Sequence, residues 1–188
     1  MIRGRGWGRY RAEGAPRDAV MTGRAPPPPS ILGRMAQGPA PRALSDAALS
    51  RLLSDGRFGT LATVKRSGHP HLATMLYHWD PETRTVRFST LEDRLKAVHV
   101  RTDPRASVHV QGPDIWSFAV AEGEAEVSAP TTAPGDGTGR ELLSMIPAES
   151  RPSPAEETAW FEQQVAERRV VIRLKATRLY GTALDISG

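Results

Sequence analysis

Residues 89–110 read STLEDRLKAVHVRTDPRASVHV, and within that span one strand ends, a helix opens and a second strand begins. Val86 and Phe88 finish a β-rich run at Ser89. Thr90 with Asp93 three residues on matches the S/T-x-x-D/E pattern of a helix start, in which a hydroxyl satisfies a free backbone N–H and an acid reaches back toward the cap. That spacing places the helix start near Leu91, with Glu92 and Asp93 in its first turn. Asp103-Pro104 stops the helix, because proline lacks an N–H and crowds the preceding turn. Ala106, Val108 and Val110 then alternate as a strand. Two readings of the helix start stay open. Free N–H groups, the helix dipole and the cations Arg94 and Lys96 suit a phosphate. The same charges equally describe a solvated, salt-bridged surface helix.

Working outward toward the N-terminus, Thr85–Ser89 is a strand reached through a turn at 80–84. The run 71–79 reads as another, with large side chains on both of its faces, which implies cover on both. Phe58–Val64, rich in threonine and valine, reads as a strand joined to it by the Arg66-Ser67-Gly68 turn. Ser45 caps a helix carrying Ala48, Leu49, Leu52 and Leu53 at helical spacing, which Gly56 ends. Toward the C-terminus, 115–127 is a long strand-like run with Trp116, Phe118 and Val120 on one face. Its phase changes near Gly123, the signature of a bulge or bend. Helices are expected at 139–146 and 154–167, and a last strand at 170–179. Strands joined by hairpin turns and interrupted by few helices indicate a mainly β, antiparallel barrel with helical additions.

The charge is divided along the chain. Residues 1–43 hold eight arginines against Glu13 and Asp18, whereas 44–188 hold 17 cations against 19 acids. The basic character therefore belongs to the arm, and the expected domain, 44–188, offers no electrostatic argument for nucleic acid. Residues 1–43, with Arg-Gly alternation around Trp7 and Tyr10 and four prolines at 26–29, cannot pack a core and are expected to be disordered. Such an arm contacts RNA in some proteins. It also reads as an extension without function, or as a start assigned upstream of Met21 or Met35. The absence of cysteine excludes disulfides and thiolate metal sites and favours a reducing, cytoplasmic setting. No apolar run has the length of a membrane span, so a soluble protein is expected.

Several familiar sites are absent from the sequence. The tail glycines do not match G-x-G-x-x-G, PGDGTGR at 134–140 lacks the Lys-Ser/Thr of a phosphate loop, and there is no G-x-S-x-G elbow. His69-x-His71 would put two imidazoles on one strand face, but no third ligand follows at a suggestive spacing, so no metal is expected. His99 and His109 read as packing or surface residues, and Glu124 and Glu126 as a solvated face.

The segments GTLATVKRSGHPHLATMLYHWD, VRFSTLEDRLKAVHVRTDPRASVHV, WSFAVAEGEAEVS and RVVIRLKATRLYG, in that order, resemble the pyridoxamine 5'-phosphate oxidase-like split-barrel family. The nearest likeness is to its branch of oxidoreductases dependent on the deazaflavin coenzyme F420. The resemblance implies a six-stranded split β-barrel, a two-fold homodimer and cofactor grooves at the subunit interface. It also implies a cofactor-phosphate grip built from Ser89, Thr90, Arg94 and Lys96. Thr60, Leu61, Ala62 and Thr63, with Met75 and Tyr77, would line the ring system. Two positions depart from the family pattern: His99 stands where asparagine is usual, and Thr74 replaces a proline common in sister groups. The implied chemistry is hydride transfer from the reduced deazaflavin to an enone, quinone or tetrapyrrole, with Tyr77 or His78 as candidates to supply a proton. An FMN-dependent oxidoreductase of the same fold, and a non-catalytic binder of flavin, deazaflavin or heme, are the alternatives.

Overall fold

The computed structural model describes residues 41–184. The expectation of a disordered arm falls on residues outside the described ones, except that Arg42 and Ala43, counted with the arm above, form a short strand.

Eight strands make one antiparallel sheet: β1 (Arg42–Ala43), β2 (Phe58–Val64), β3 (Pro70–Leu76), β4 (His78–Asp80), β5 (Thr85–Leu91), β6 (Arg105–Gln111), β7 (Phe118–Val127) and β8 (Arg169–Ala183). Six are long, as expected, and β1 and β4 are minor. The spatial order is β3-β2-β6-β7-β8-β5-β4, with β1 against the far end of β8. β3 and β4 are thus opposite edges of the sheet, yet Tyr77 alone separates them in the chain. A sheet whose two edges are joined by one residue must curl onto itself, and this gives the split barrel.

Tyr77 is where the expected strand 71–79 breaks. Its N–H bonds to the Arg57 carbonyl at 3.2 Å and its hydroxyl donates to the Leu53 carbonyl at 2.7 Å. These bonds replace ladder bonds and let the chain cross from one edge to the other. Of the cover expected on both faces of this run, the single chain supplies one side. In β3 the residues facing outward are bare, with Leu72 62% and Leu76 59% exposed.

Among the described residues four α-helices close the structure: α1 (Asp46–Asp55), α2 (Leu95–Thr102), α3 (Gly137–Ser144) and α4 (Glu157–Ala166). Ser45 caps α1 as expected, its Oγ accepting from the Ala48 N–H at 3.3 Å. α2 differs from expectation. β5 continues through Thr90 to Leu91 in a seven-residue ladder with β8, Thr90 is buried, and the helix begins after Arg94, which makes no side-chain cap bond. A complete strand ladder outcompetes a local cap that would satisfy only two donors. α3 starts two residues earlier than expected because Asp136 caps it, accepting from the Gly139 N–H at 2.7 Å.

The inward sets of the strands, among them Leu61, Val86, Phe88, Val108, Ile172 and Leu174, form one core closed by Leu49 and Leu53 of α1 and by Ala97 and Val100 of α2. The bulge expected near Gly123 is present, and its extra residue lies on the partner strand: Glu122 pairs Arg178 and Gly123 pairs Ala176, leaving Thr177 unpaired. A Cβ on Gly123 would sit 2.0 Å from the Lys175 carbonyl oxygen, so only glycine allows the strands to approach there. Trp116, expected on a strand face, lies in the turn before β7. β8 runs past the expected end at residue 179, paired with β7 as far as Thr182.

Candidate functional site

Strand parity distributes the candidate residues. On β2, Leu61 and Thr63 are buried on the inner face, while Thr60 and Ala62 point outward opposite Thr74 and Leu72 of β3. Met75 lies on the inner face and packs against the core. Ser89 and Thr90, adjacent on β5, necessarily face opposite sides. Thr90 is buried, and Ser89 accepts a bond from Arg169 Nη1 at 3.0 Å on the other side. The structure therefore does not gather Ser89, Thr90, Arg94 and Lys96 on one surface; it sorts them into two neighbourhoods.

The first neighbourhood is cationic. Arg94 and Lys96 sit at the start of α2, where free N–H groups and the helix dipole favour an anion. Burial, and then the charge of Arg94, push the Lys96 ammonium below its ordinary value. Thr63 Oγ1 lies 3.2 Å from Nδ1 of His99, whose ring meets the edge of the His71 ring with centroids 5.1 Å apart. His71 is held below its ordinary value by burial first, then by the charges of His99, Lys65 and Lys96. Its Nδ1 is buried without a hydrogen-bond partner. Among the described residues Lys65, Arg94 and Lys96 make no ion pair, whereas most arginines of β5 and β8 do. An orphaned ring nitrogen among unpaired cations fits an anionic group such as a phosphate. His69, read with His71 as a possible ligand pair, lies in the exposed turn before β3, so strand geometry does not place both rings on one face.

The second neighbourhood is a cavity of about 610 Å³ bounded by Leu53, Arg57, Tyr77, His78, Ser89 and Arg169, with the segment after α3, Met145 to Pro147, across from them. Its size suits a small molecule, and its walls mix apolar side chains with few polar groups. The proton-supplying candidates both border it. Tyr77 is a poor acid: its hydroxyl is committed to Leu53, and burial, followed by the charge of Asp55, pushes its pKa well up. His78 Nδ1 lies 3.2 Å from Arg87 Nη2. An arginine nitrogen can only donate, so Nδ1 accepts and Nε2 carries the proton. Burial and Arg87 lower the His78 pKa against the opposing pull of Asp80, keeping the ring neutral.

Sequence reasoning did not find Arg57, Arg169 or the Thr63–His99–His71 contacts. Arg169 carries no motif, and the two histidines lie far apart in the chain. His109, read as packing, stacks on Phe118 with centroids 5.5 Å apart.

The family model for pyridoxamine 5'-phosphate oxidase matches residues 45–183. The chain belongs to this family. Solved structures agree in fold. A conserved hypothetical protein from Mycobacterium tuberculosis is 24% identical, with 81% of this chain and 98% of that one covered at a TM-score of 0.61. A structure described as an F420 reductase is 24% identical, covering 69% and 94%, with a TM-score of 0.50. An FAD-binding protein from Mesorhizobium loti is 19% identical, covering 79% and 99%, with a TM-score of 0.53. This chain shares the antiparallel split barrel of these structures. Among the described residues no helix is long and apolar enough to cross a membrane.

Proposed function

We propose that the protein is a reductase that takes a hydride from reduced coenzyme F420 and delivers it to an unsaturated small molecule, an enone, quinone or tetrapyrrole. The observation that carries this reading is the set of unpaired cations at the start of α2 in a barrel of this family, with the orphaned Nδ1 of His71 beside them. Arg94 and Lys96 hold the cofactor phosphate through charge-assisted bonds, while Thr60 and Ala62 border the ring from the outer face of β2 and the buried Leu61 and Thr63 contribute backbone only. Bound cofactor supplies the hydride, and the protein's part is to orient, desolvate and manage a proton. The cavity beside Tyr77 and His78 takes the substrate. There His78 offers its Nε2–H as a hydrogen-bond donor to the substrate while solvent supplies the proton, and Tyr77 serves as a wall.

A second copy of the chain belongs to the same proposal. Phe58, Leu72 and Leu76 share the outer face of β2 and β3, each more than half exposed, and a two-fold partner would bury this apolar surface. A cytoplasmic enzyme fits these features. The flavin chemistry of the family supports FMN as a second reading, because a phosphate grip alone does not separate the two cofactors.

Titration of the full chain with coenzyme F420 and with FMN distinguishes the readings, followed by oxidation of the reduced form of the tighter cofactor by a panel of enones, quinones and tetrapyrroles. Tighter binding of F420 with turnover of one acceptor is expected. Preference for FMN moves the assignment to the second reading, and failure to bind either overturns both.

A further inference from the structure

Resting on the reading that Arg94 and Lys96 hold an anion, we propose that His71 is a proton-linked member of that grip, neutral when the site is empty and protonated when a phosphate or sulfate group is held. The geometry comes from three elements. β3 places His71 on the inner face opposite Thr63 of β2, and α2 brings His99 against its ring edge. His99 Nδ1 lies within 3.2 Å of Thr63 Oγ1, which fixes the ring that His71 meets. His71 Nδ1 is thereby enclosed without a partner, an arrangement that costs free energy until a ligand or a proton uses the nitrogen.

The charges acting on this ring are of one sign. They come from His99 and Lys96 on α2 and from Lys65 at the end of β2, with Arg94 acting in turn on Lys96. β7, the other strand packed on α2, sends no carboxylate toward them: Ala119, Ala121 and Ala125 are its buried residues on the core side, while Glu122 pairs with Arg178, Glu126 with Arg173 and Glu124 is exposed. An empty site therefore disfavours a charged His71. Bringing a doubly charged anion to Lys96 reverses the field at the ring, and an opposite charge at that range raises a pKa by about one unit or more. The proton comes from solvent, and no bond to carbon or phosphorus changes.

Two consequences separate this role from a structural one. Affinity for a non-titrating anion must rise as the pH falls from the raised bound-state value of His71 to its free-state value, by about tenfold for a one-unit shift, and level off below. The His71 ring resonance must also move its titration midpoint upward when the anion is added.

The test uses the full chain and inorganic sulfate, whose charge is constant from pH 5.5 to 8. Binding is followed by calorimetry and by the ring proton signals of the five histidines. Wild type is expected to bind more tightly at pH 5.5 than at pH 8, with the His71 midpoint raised by sulfate. His71→Asn is expected to lose the rise, its affinity staying the same from pH 8 to pH 5.5. A flat pH profile in wild type, with binding still abolished by Lys96→Ala, would overturn the inference and leave the anion site standing. If Lys96→Ala bound sulfate as wild type does, the anion site itself would be contradicted. Should His71→Asn not fold, the sulfate-dependent movement of the wild-type His71 midpoint decides alone.

Discussion

The two ends of the sheet are built differently. Where β5, β8 and β7 meet, both faces are covered: Val170 and Ile172 face the core, and Val171 between them is equally buried on the other side. Arg173 bonds Glu141 of α3 and Glu126 of β7. At the other end β2 and β3 have one face in the core and one in solvent, and the cations nearby lack counter-charges. The covered end satisfies itself within one chain. The bare end is completed only by something else, and the proposal names two such things, a cofactor anion and a second subunit.

The contrast should show most strongly in the core. Phe88→Ala is expected to cost about 3–5 kcal/mol in urea unfolding, whereas Leu72→Ala, at concentrations too low for subunits to associate, should stay within about 0.5 kcal/mol. Equal costs would mean that the outer face of β3 is covered within the single chain. Next in size is assembly: Leu72→Asp combined with Leu76→Asp should convert a dimer to a folded monomer in sedimentation with unchanged circular dichroism. A monomeric wild type would remove the proposed subunit interface. At the covered end, Arg173→Ala should cost about 1 kcal/mol, since its two carboxylate partners hold it at the surface rather than in the core. No effect would show that this end is stabilised by apolar packing alone.

The smallest expected effect is on acid stability. Asp103 is held down to about 2, first by side-chain bonds from Arg105 and then by that residue's backbone N–H. Its unfolded value is about 3.9, so on acidification the unfolded chain takes the proton first. The contribution is complete above about pH 5 and is lost as the pH falls through about 2. The stability difference between wild type and Asp103→Asn should shrink over that range and stay constant above it.

Much of the sheet was legible because alternation with a period of two is a direct consequence of strand geometry. β2 emerged with its observed ends, and the phase change at Gly123 marked the bulge. The break at Tyr77 was hidden, since residues on either side alternate without interruption and only the bonds to Arg57 and Leu53 reveal the crossing. The Thr90–Asp93 cap was misread because a local motif carries no information about the ladder that β8 supplies. At the site, Arg94 and Lys96 were visible as a short motif on one element. His71, His99 and Thr63 come from three elements, and Arg169 reaches Ser89 from the last strand, so only the folded chain brings them together.

The central claim is that Arg94 and Lys96 hold the cofactor phosphate. Calorimetric titration of wild type and the Arg94→Ala/Lys96→Ala double variant with the preferred cofactor tests it most directly. Loss of two charge-assisted contacts is expected to weaken binding by about 3 kcal/mol, roughly a hundredfold, with the fold unchanged by circular dichroism. Equal affinity in the two proteins would contradict the account.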